Sequence, residues 1–156
     1  MSHAFHQRGG CQCGAIRYTL TERPRAVYCC HCIECQRQSS SAFGISVRVR
    51  RAALSVEGET AKFNKTSGDR LTICEFCPHC GSRLFHNRPA HEDLLTIKGG
   101  TFDDTSWLKP VGHIWLKSKQ AWVLIPEDGL RFDAQPDDYD VLSVRYAEQW
   151  GPPGRE

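Results

Sequence analysis

The sequence has no long apolar run. Its longest aliphatic stretch is AWVLI at 121–125, whereas a membrane-spanning helix needs about 20 such residues. The opening MSHAFHQRGG has no apolar core of the secretory kind. Both absences argue against a membrane partner and make a cytoplasmic, reducing compartment the expectation. There is no low-complexity segment, no repeat at a fixed period and no long Lys/Arg run, which argues against a solenoid and against a basic arm for nucleic acid. What is present suits one domain with a single core: 156 residues, 40% hydrophobic and 24% charged.

Cysteine is the exception to this ordinary composition. There are nine, an odd number that fits a disulfide framework poorly, above all in a reducing compartment. They fall into clusters: Cys11 and Cys13; Cys29, Cys30, Cys32 and Cys35; Cys74, Cys77 and Cys80. Such clustering points to metal. It also changes the charge. The formal value is +2 with every thiol neutral; seven thiolates holding two zinc ions would bring it to about −1. The apparent basicity then disappears, although residues 1–51 still carry eight Arg against Glu22 and Glu34 alone. That local positive field suits an anionic ligand.

Most of the chain reads as short strands separated by Gly, Asn, Ser and Asp turn signals. GAIRYTL (14–20) puts Ile16, Tyr18 and Leu20 on one face. AFGISVRVR (42–50) puts Ile45, Val47 and Val49 on one face and Ser46, Arg48 and Arg50 on the other. AVYCC, LSVEGE, TAKFNKT, LTICEF, SRLFHN, DLLTIKGG and VGHIWLKS continue the series. CIECQRQSS (32–40) predicts one or two helical turns, and DDYDVLSVRYAEQW (137–150), after Pro136, predicts a terminal helix of imperfect period. The fold class is mainly β. The expected organisation is an N-terminal segment over 1–8, a zinc-binding β domain over 9–135 and a partly helical tail over 136–156 with a frayed GPPGRE end.

The cysteine spacings carry the chemistry. CPHC at 77–80 is a CxxC followed by Gly81, a spacing that turns two sulfurs onto one ion. Thioredoxin-like redox chemistry is its rival, but the βαβ context is missing. CQC at 11–13, between Gly10 and Gly14, supplies the other half of a four-sulfur site; the bland reading is two buried, inert cysteines. Cys30, Cys32 and Cys35 place three sulfurs within six residues, with no fourth at metal spacing. Three protein ligands and one exchangeable position make a catalytic zinc. A second structural site completed by Cys29, Cys74 or a histidine is the alternative. Cys29 should point opposite to Cys30 along a strand and be buried, and Cys74 reads as a strand residue.

Together GGCQCGAIRY, CCHCIECQRQSSSAFG and FCPHCGSRLF resemble the family of glutathione-dependent formaldehyde-activating enzymes, over about residues 9 to 120. The resemblance implies a single-domain, β-rich Mss4-like fold stapled by zinc. It implies two zinc ions per chain: a structural one on Cys11, Cys13, Cys77 and Cys80, and a catalytic one on Cys30, Cys32 and Cys35. The implied activity is that of a carbon–sulfur lyase joining a small-molecule thiol such as glutathione to formaldehyde.

Arg37, Arg48 and Arg50 are the candidate substrate-binding cations, for they would offset the site's negative charge and meet carboxylates; a solvated sheet face is their plain alternative. His31 reads as an exposed loop histidine. His86 and His113 read as satisfied structural histidines. Ser39–Ser41 read as pocket lining or helix cap, and Phe43, Trp107, Trp115 and Trp122 as core. The acidic pairs at 103–104 and 137–138 read as loop and helix-start charge. The competing functional class is a zinc-stapled binding module for nucleic acid or protein without catalysis; the holo charge argues against nucleic acid.

Overall fold

The computed structural model describes residues 4–153; the ends of the expected N-terminal segment and of the frayed tail lie outside them. Eleven strands and two helices follow one another: β1 (Gln7–Gly10), β2 (Arg17–Leu20), β3 (Ala26–Cys30), α1 (Ile33–Ser39), β4 (Gly44–Arg50), β5 (Leu54–Glu57), β6 (Ala61–Ser67), β7 (Arg70–Phe76), β8 (Arg83–Asn87), β9 (Leu94–Lys98), β10 (Gly112–Ile114), β11 (Leu130–Arg131) and α2 (Asp140–Trp150). The chain is mainly β, with two sheets.

The small sheet has the order β1-β2-β5 and the large one β11-β10-β3-β4-β9-β8-β7-β6. The long run from β3 across to β6 is antiparallel throughout, while β10 lies parallel to both β3 and β11. Antiparallel neighbours can bury one face and leave the other polar, and this sheet does so. Val47 and Val49 of β4, Ile97 of β9 and Phe85 of β8 are buried on one side. The inner face of the small sheet packs there. Tyr18 meets Phe85 edge-on at 5.4 Å and Phe102 at 5.4 Å, and its hydroxyl bonds Thr101 Oγ1 at 2.8 Å.

The alternate residues of the same strands face the other way: Tyr28 and Cys30, Ser46 and Arg48, Thr96 and Lys98, His86. The C-terminal segment covers the β3–β10 end of this second face. α2 packs on β3, with Leu142 and Tyr146 buried one helical turn apart on a single face. Tyr139 lies 5.7 Å from Tyr28, ring to ring. The segment expected as a tail therefore closes one wall of the cavity described next.

Candidate metal centres and the adjoining cavity

Cys11 and Cys13 sit on the turn between β1 and β2; Cys77 and Cys80 sit between β7 and β8. Both turns are built alike. Cys11 O accepts from Gly14 N at 3.1 Å, and Cys77 O accepts from Gly81 N at 2.9 Å. Gly14 and Gly81 have φ of +81° and +76°, the left-handed region that glycine enters without a Cβ penalty. Ser82 joins the turns: its Oγ accepts from Gln12 N at 3.0 Å and lies 3.2 Å from Cys80 Sγ. Its hydrogen bonds, side chain and backbone, hold the Cys80 thiol down at about 5.

All four sulfurs lie within 4.8 Å of one another. Cys11 to Cys13 is 3.6 Å and Cys13 to Cys77 is 3.7 Å. A tetrahedron of sulfurs about 2.3 Å from zinc has edges of about 3.8 Å, whereas a disulfide brings sulfurs to about 2.05 Å. The donor set therefore fits a tetrahedral thiophilic metal and not a pair of disulfides.

Cys30, Cys32 and Cys35 form the second cluster, again with all sulfurs within 4.8 Å. β3 delivers Cys30. Cys32 is the N-cap of α1, its sulfur accepting from Cys35 N at 3.3 Å. Hydrogen bonds from Cys30 and Cys35 hold Cys32 down at about 2, while Cys30 and Cys35 are themselves pushed up, so without a metal the trio favours one thiolate shared among three sulfurs. Among the described residues no fourth Cys, His, Asp or Glu ligand atom joins the trio within that distance. Cys29 points away; it is buried, and burial pushes its thiol up to about 12. Cys74 is fully buried in β7, opposite Phe63 and His86.

The trio opens onto a cavity of about 410 Å³ on the polar face of the large sheet. Five cations line it (Arg48, Lys65, Arg70, Arg88 and Lys98) against a single carboxylate, Glu34, which pairs with Lys65. Lys98 lies beside the sulfurs: a point one bond above the Gly44 Cα lies 3.7 Å from Lys98 Nζ and 3.9 Å from Cys35 Sγ. Trp115 forms part of the wall and holds a left-handed backbone, φ +61°. For a bulky residue that conformation costs on the order of 1–3 kcal/mol and clusters at functional sites. Its indole nitrogen donates to Gln135 Oε1 at 3.1 Å.

Several sequence expectations change here. His31 is not an exposed loop residue: it is 0% exposed. Cys30 and Cys32 point to the cavity, so alternation turns the residue between them inward. There its Nε2 meets His113 Nδ1 at 2.9 Å, beside Phe43. Burial lowers the proton affinity of His31 to about 4. His86 is not a satisfied histidine; its buried Nε2 has no partner, and its ring lines the cavity. Trp122 is not core but 72% exposed, because it sits in a turn after the last long strand. Of the three arginines, the structure places only Arg48 on the cavity. Arg37 is exposed at the last turn of α1 beside Gln120 and Trp122, and Arg50 donates to Glu22 at 2.7 Å. Ser39 Oγ bonds Cys35 O at 2.8 Å and Phe43 O at 3.1 Å, and Ser40 ends α1 with φ 49°. Trp107 packs on Phe102 and Phe5. Asp103 pairs with Arg17, while Asp104 and Asp138 accept from backbone N–H groups nearby. Sequence reading missed Lys98, Arg70, Arg88 and Tyr139 altogether.

The sequence model of the family described as "Glutathione-dependent formaldehyde-activating enzyme" matches residues 6–118, which include both cysteine clusters. The chain belongs to this family. No curated protein matches the sequence. A crystal structure of a Rhodobacter sphaeroides protein is similar at TM-score 0.49 and 16% identity, over 80% of this chain and 98% of that one. Among the described residues no helix is long and apolar enough to cross a membrane.

Proposed function

We propose that the protein is a zinc-dependent carbon–sulfur lyase of the formaldehyde-activating family, forming or cleaving the adduct of a glutathione-like thiol and a small aldehyde at Cys30, Cys32 and Cys35. One observation carries this reading: a four-sulfur cluster that is complete and a three-sulfur cluster that faces a cavity. Cys11, Cys13, Cys77 and Cys80 would hold a structural zinc, and the trio a second one. When bound at the trio, zinc supplies an open position at which a thiol ionises.

The chain's own residues supply the surroundings. Three thiolates and one Zn²⁺ leave the site at −1, so a cation beside it is needed before an anionic thiol can enter. Lys98 is that cation. Gly44 keeps the space between Lys98 and Cys35 clear. Joining a thiol to an aldehyde moves one proton from sulfur to the carbonyl oxygen; the Lys98 ammonium is placed to donate a proton to that oxygen and would be restored by the one the thiol releases. Ile114 and Trp115 give the wall an apolar part that limits water.

The test is exchange NMR of glutathione with formaldehyde in the presence of zinc-loaded protein. Wild-type protein should accelerate interconversion beyond a Cys32→Ser control, and Lys98→Met should slow it by about 10²-fold while leaving the fold intact. No acceleration over Cys32→Ser would remove the formaldehyde reading.

A further inference from the structure

Three of the cavity's cations lie away from the sulfurs and share one neighbour. On the sheet, Cys30 stands opposite Gly44, and Arg48 lies four residues further along β4. Arg48, Thr96 and His86 form one row across three strands. Arg88 is two residues beyond His86, just past the end of β8, and Arg70 begins the neighbouring β7. Tyr139, from the covering C-terminal segment, lies over this end. The Arg48 guanidinium sits 5.2 Å from the Tyr139 ring centroid. Arg88 and Arg70 are both close enough to favour ionisation of the Tyr139 phenol, against the burial that pushes it up.

These three guanidiniums have no carboxylate among the described residues. Among the described residues neither hydrogen bonds nor ion pairs engage their charged ends, Arg48 meeting the Tyr139 ring instead, and the cavity's one acid, Glu34, belongs to Lys65. Like charges gathered on one wall repel, and a ligand anion relieves the repulsion. Planar guanidinium groups suit carboxylate and phosphate oxygens, which they grip in pairs.

We propose that Arg48, Arg70 and Arg88 form an anion subsite at the far end of the cavity, so that the thiol bears a carboxylate or phosphate group remote from its sulfur, reaching along β4 from the trio at Gly44 towards Arg48. The assignment rests on the reading of the trio as the thiol site. It adds a length and a charge to the ligand: a short neutral thiol would leave the three arginines unmet.

The experiment is calorimetric titration of zinc-loaded protein with glutathione and with its diethyl ester, in wild type and in the Arg70→Gln/Arg88→Gln variant. Both residues lie outside the core, so the variant should fold. The ester should bind wild type at least about tenfold more weakly than glutathione, and this ratio should fall towards one in the variant. Equal binding of ester and acid to wild type would overturn the subsite and leave the thiol reading standing. If neither thiol binds, the thiol reading fails, and inorganic phosphate then decides the subsite: saturable shifts of the arginine side-chain NMR signals support it, and their absence overturns it. Competition by phosphate against acetate identifies which oxyanion the subsite prefers.

Discussion

Cys77→Ser and Cys32→Ser should have different consequences, although each removes one sulfur from a cysteine cluster that could hold a metal. The reason lies in the unfolded chain. Metal stabilises a fold only to the extent that it binds the folded state better than the unfolded one. Cys13 and Cys77 are 64 residues apart, so an unfolded chain must close a long loop to bring the four sulfurs together. Cys30, Cys32 and Cys35 need a loop of only about five. Loop closure costs about 0.6 kcal/mol per doubling of length, which puts the four-sulfur site about 2 kcal/mol further from the unfolded chain. The trio can be held almost as well by unfolded protein, and its metal contributes little net stability. With free zinc about 1,000-fold above its Kd, the four-sulfur site contributes about 4 kcal/mol. At about 2–4 °C per kcal/mol for a domain of this size, Cys77→Ser should melt about 8–16 °C below wild type. Cys32→Ser should stay within about 3 °C. Cys77 is fully buried, so the serine hydroxyl adds a cost of its own. Cys74→Ser, equally buried and outside both clusters, measures that cost. The metal-dependent part is the portion that a chelator abolishes in wild type and Cys74→Ser but not in Cys77→Ser. Melts by circular dichroism, paired with zinc counting, read all of this. Equal chelator-sensitive shifts in Cys77→Ser and Cys32→Ser would refute the loop argument.

Two further substitutions probe how the layers fit. A Cβ on Gly9 would stand 2.3 Å from the Tyr18 hydroxyl oxygen and 2.4 Å from the Thr101 carbonyl oxygen, and the second is backbone that cannot swing aside. Gly9→Ala should therefore cost about 1–3 kcal/mol by urea denaturation, and a loss below about 0.5 kcal/mol would show that the small sheet floats on the large one. Leu142 is fully buried under Gly112. Leu142→Ala should cost about 2–5 kcal/mol; a cost below about 1 kcal/mol would mean that α2 does not belong to the domain's core.

Alternation made the strands legible. Ile16, Tyr18 and Leu20 are buried together, as are Val47 and Val49, because one face of each strand must leave water. The cysteine spacings were legible for a similar reason: two ligands separated by one or two residues constrain each other locally. What stayed hidden depends on register between strands distant in sequence. Lys98 reaches the sulfurs because it stands opposite Ser46, two residues from Gly44, which itself faces Cys30. Nothing in DLLTIKGG records that partner. Arg48 and Arg50 alternate on one face of β4 and look alike in sequence, yet Glu22 takes Arg50 and the cavity keeps Arg48. The partner that receives His31, His113, stands on β10, 82 residues away, and nothing near CCHC records it.

The two clusters are joined through one strand. Cys80 and Ser82 lead directly into β8, whose His86 lines the cavity, as does Arg88 just after it. β8 pairs with β9, which carries Lys98. A metal held by Cys77 and Cys80 would therefore fix the end of the strand that positions one cavity wall. The trio sits on β3 and the first turn of α1, on the opposite wall, and no ligand of the four-sulfur cluster depends on it. Loss of the four-sulfur site should blunt ligand binding even where all three of Cys30, Cys32 and Cys35 remain, whereas loss of the trio should leave the four-sulfur cluster and its metal content untouched. A cluster built from halves drawn from two distant turns ties the small sheet to the strand that carries this cavity wall, beside the contact that Tyr18 makes with Phe85 and Thr101.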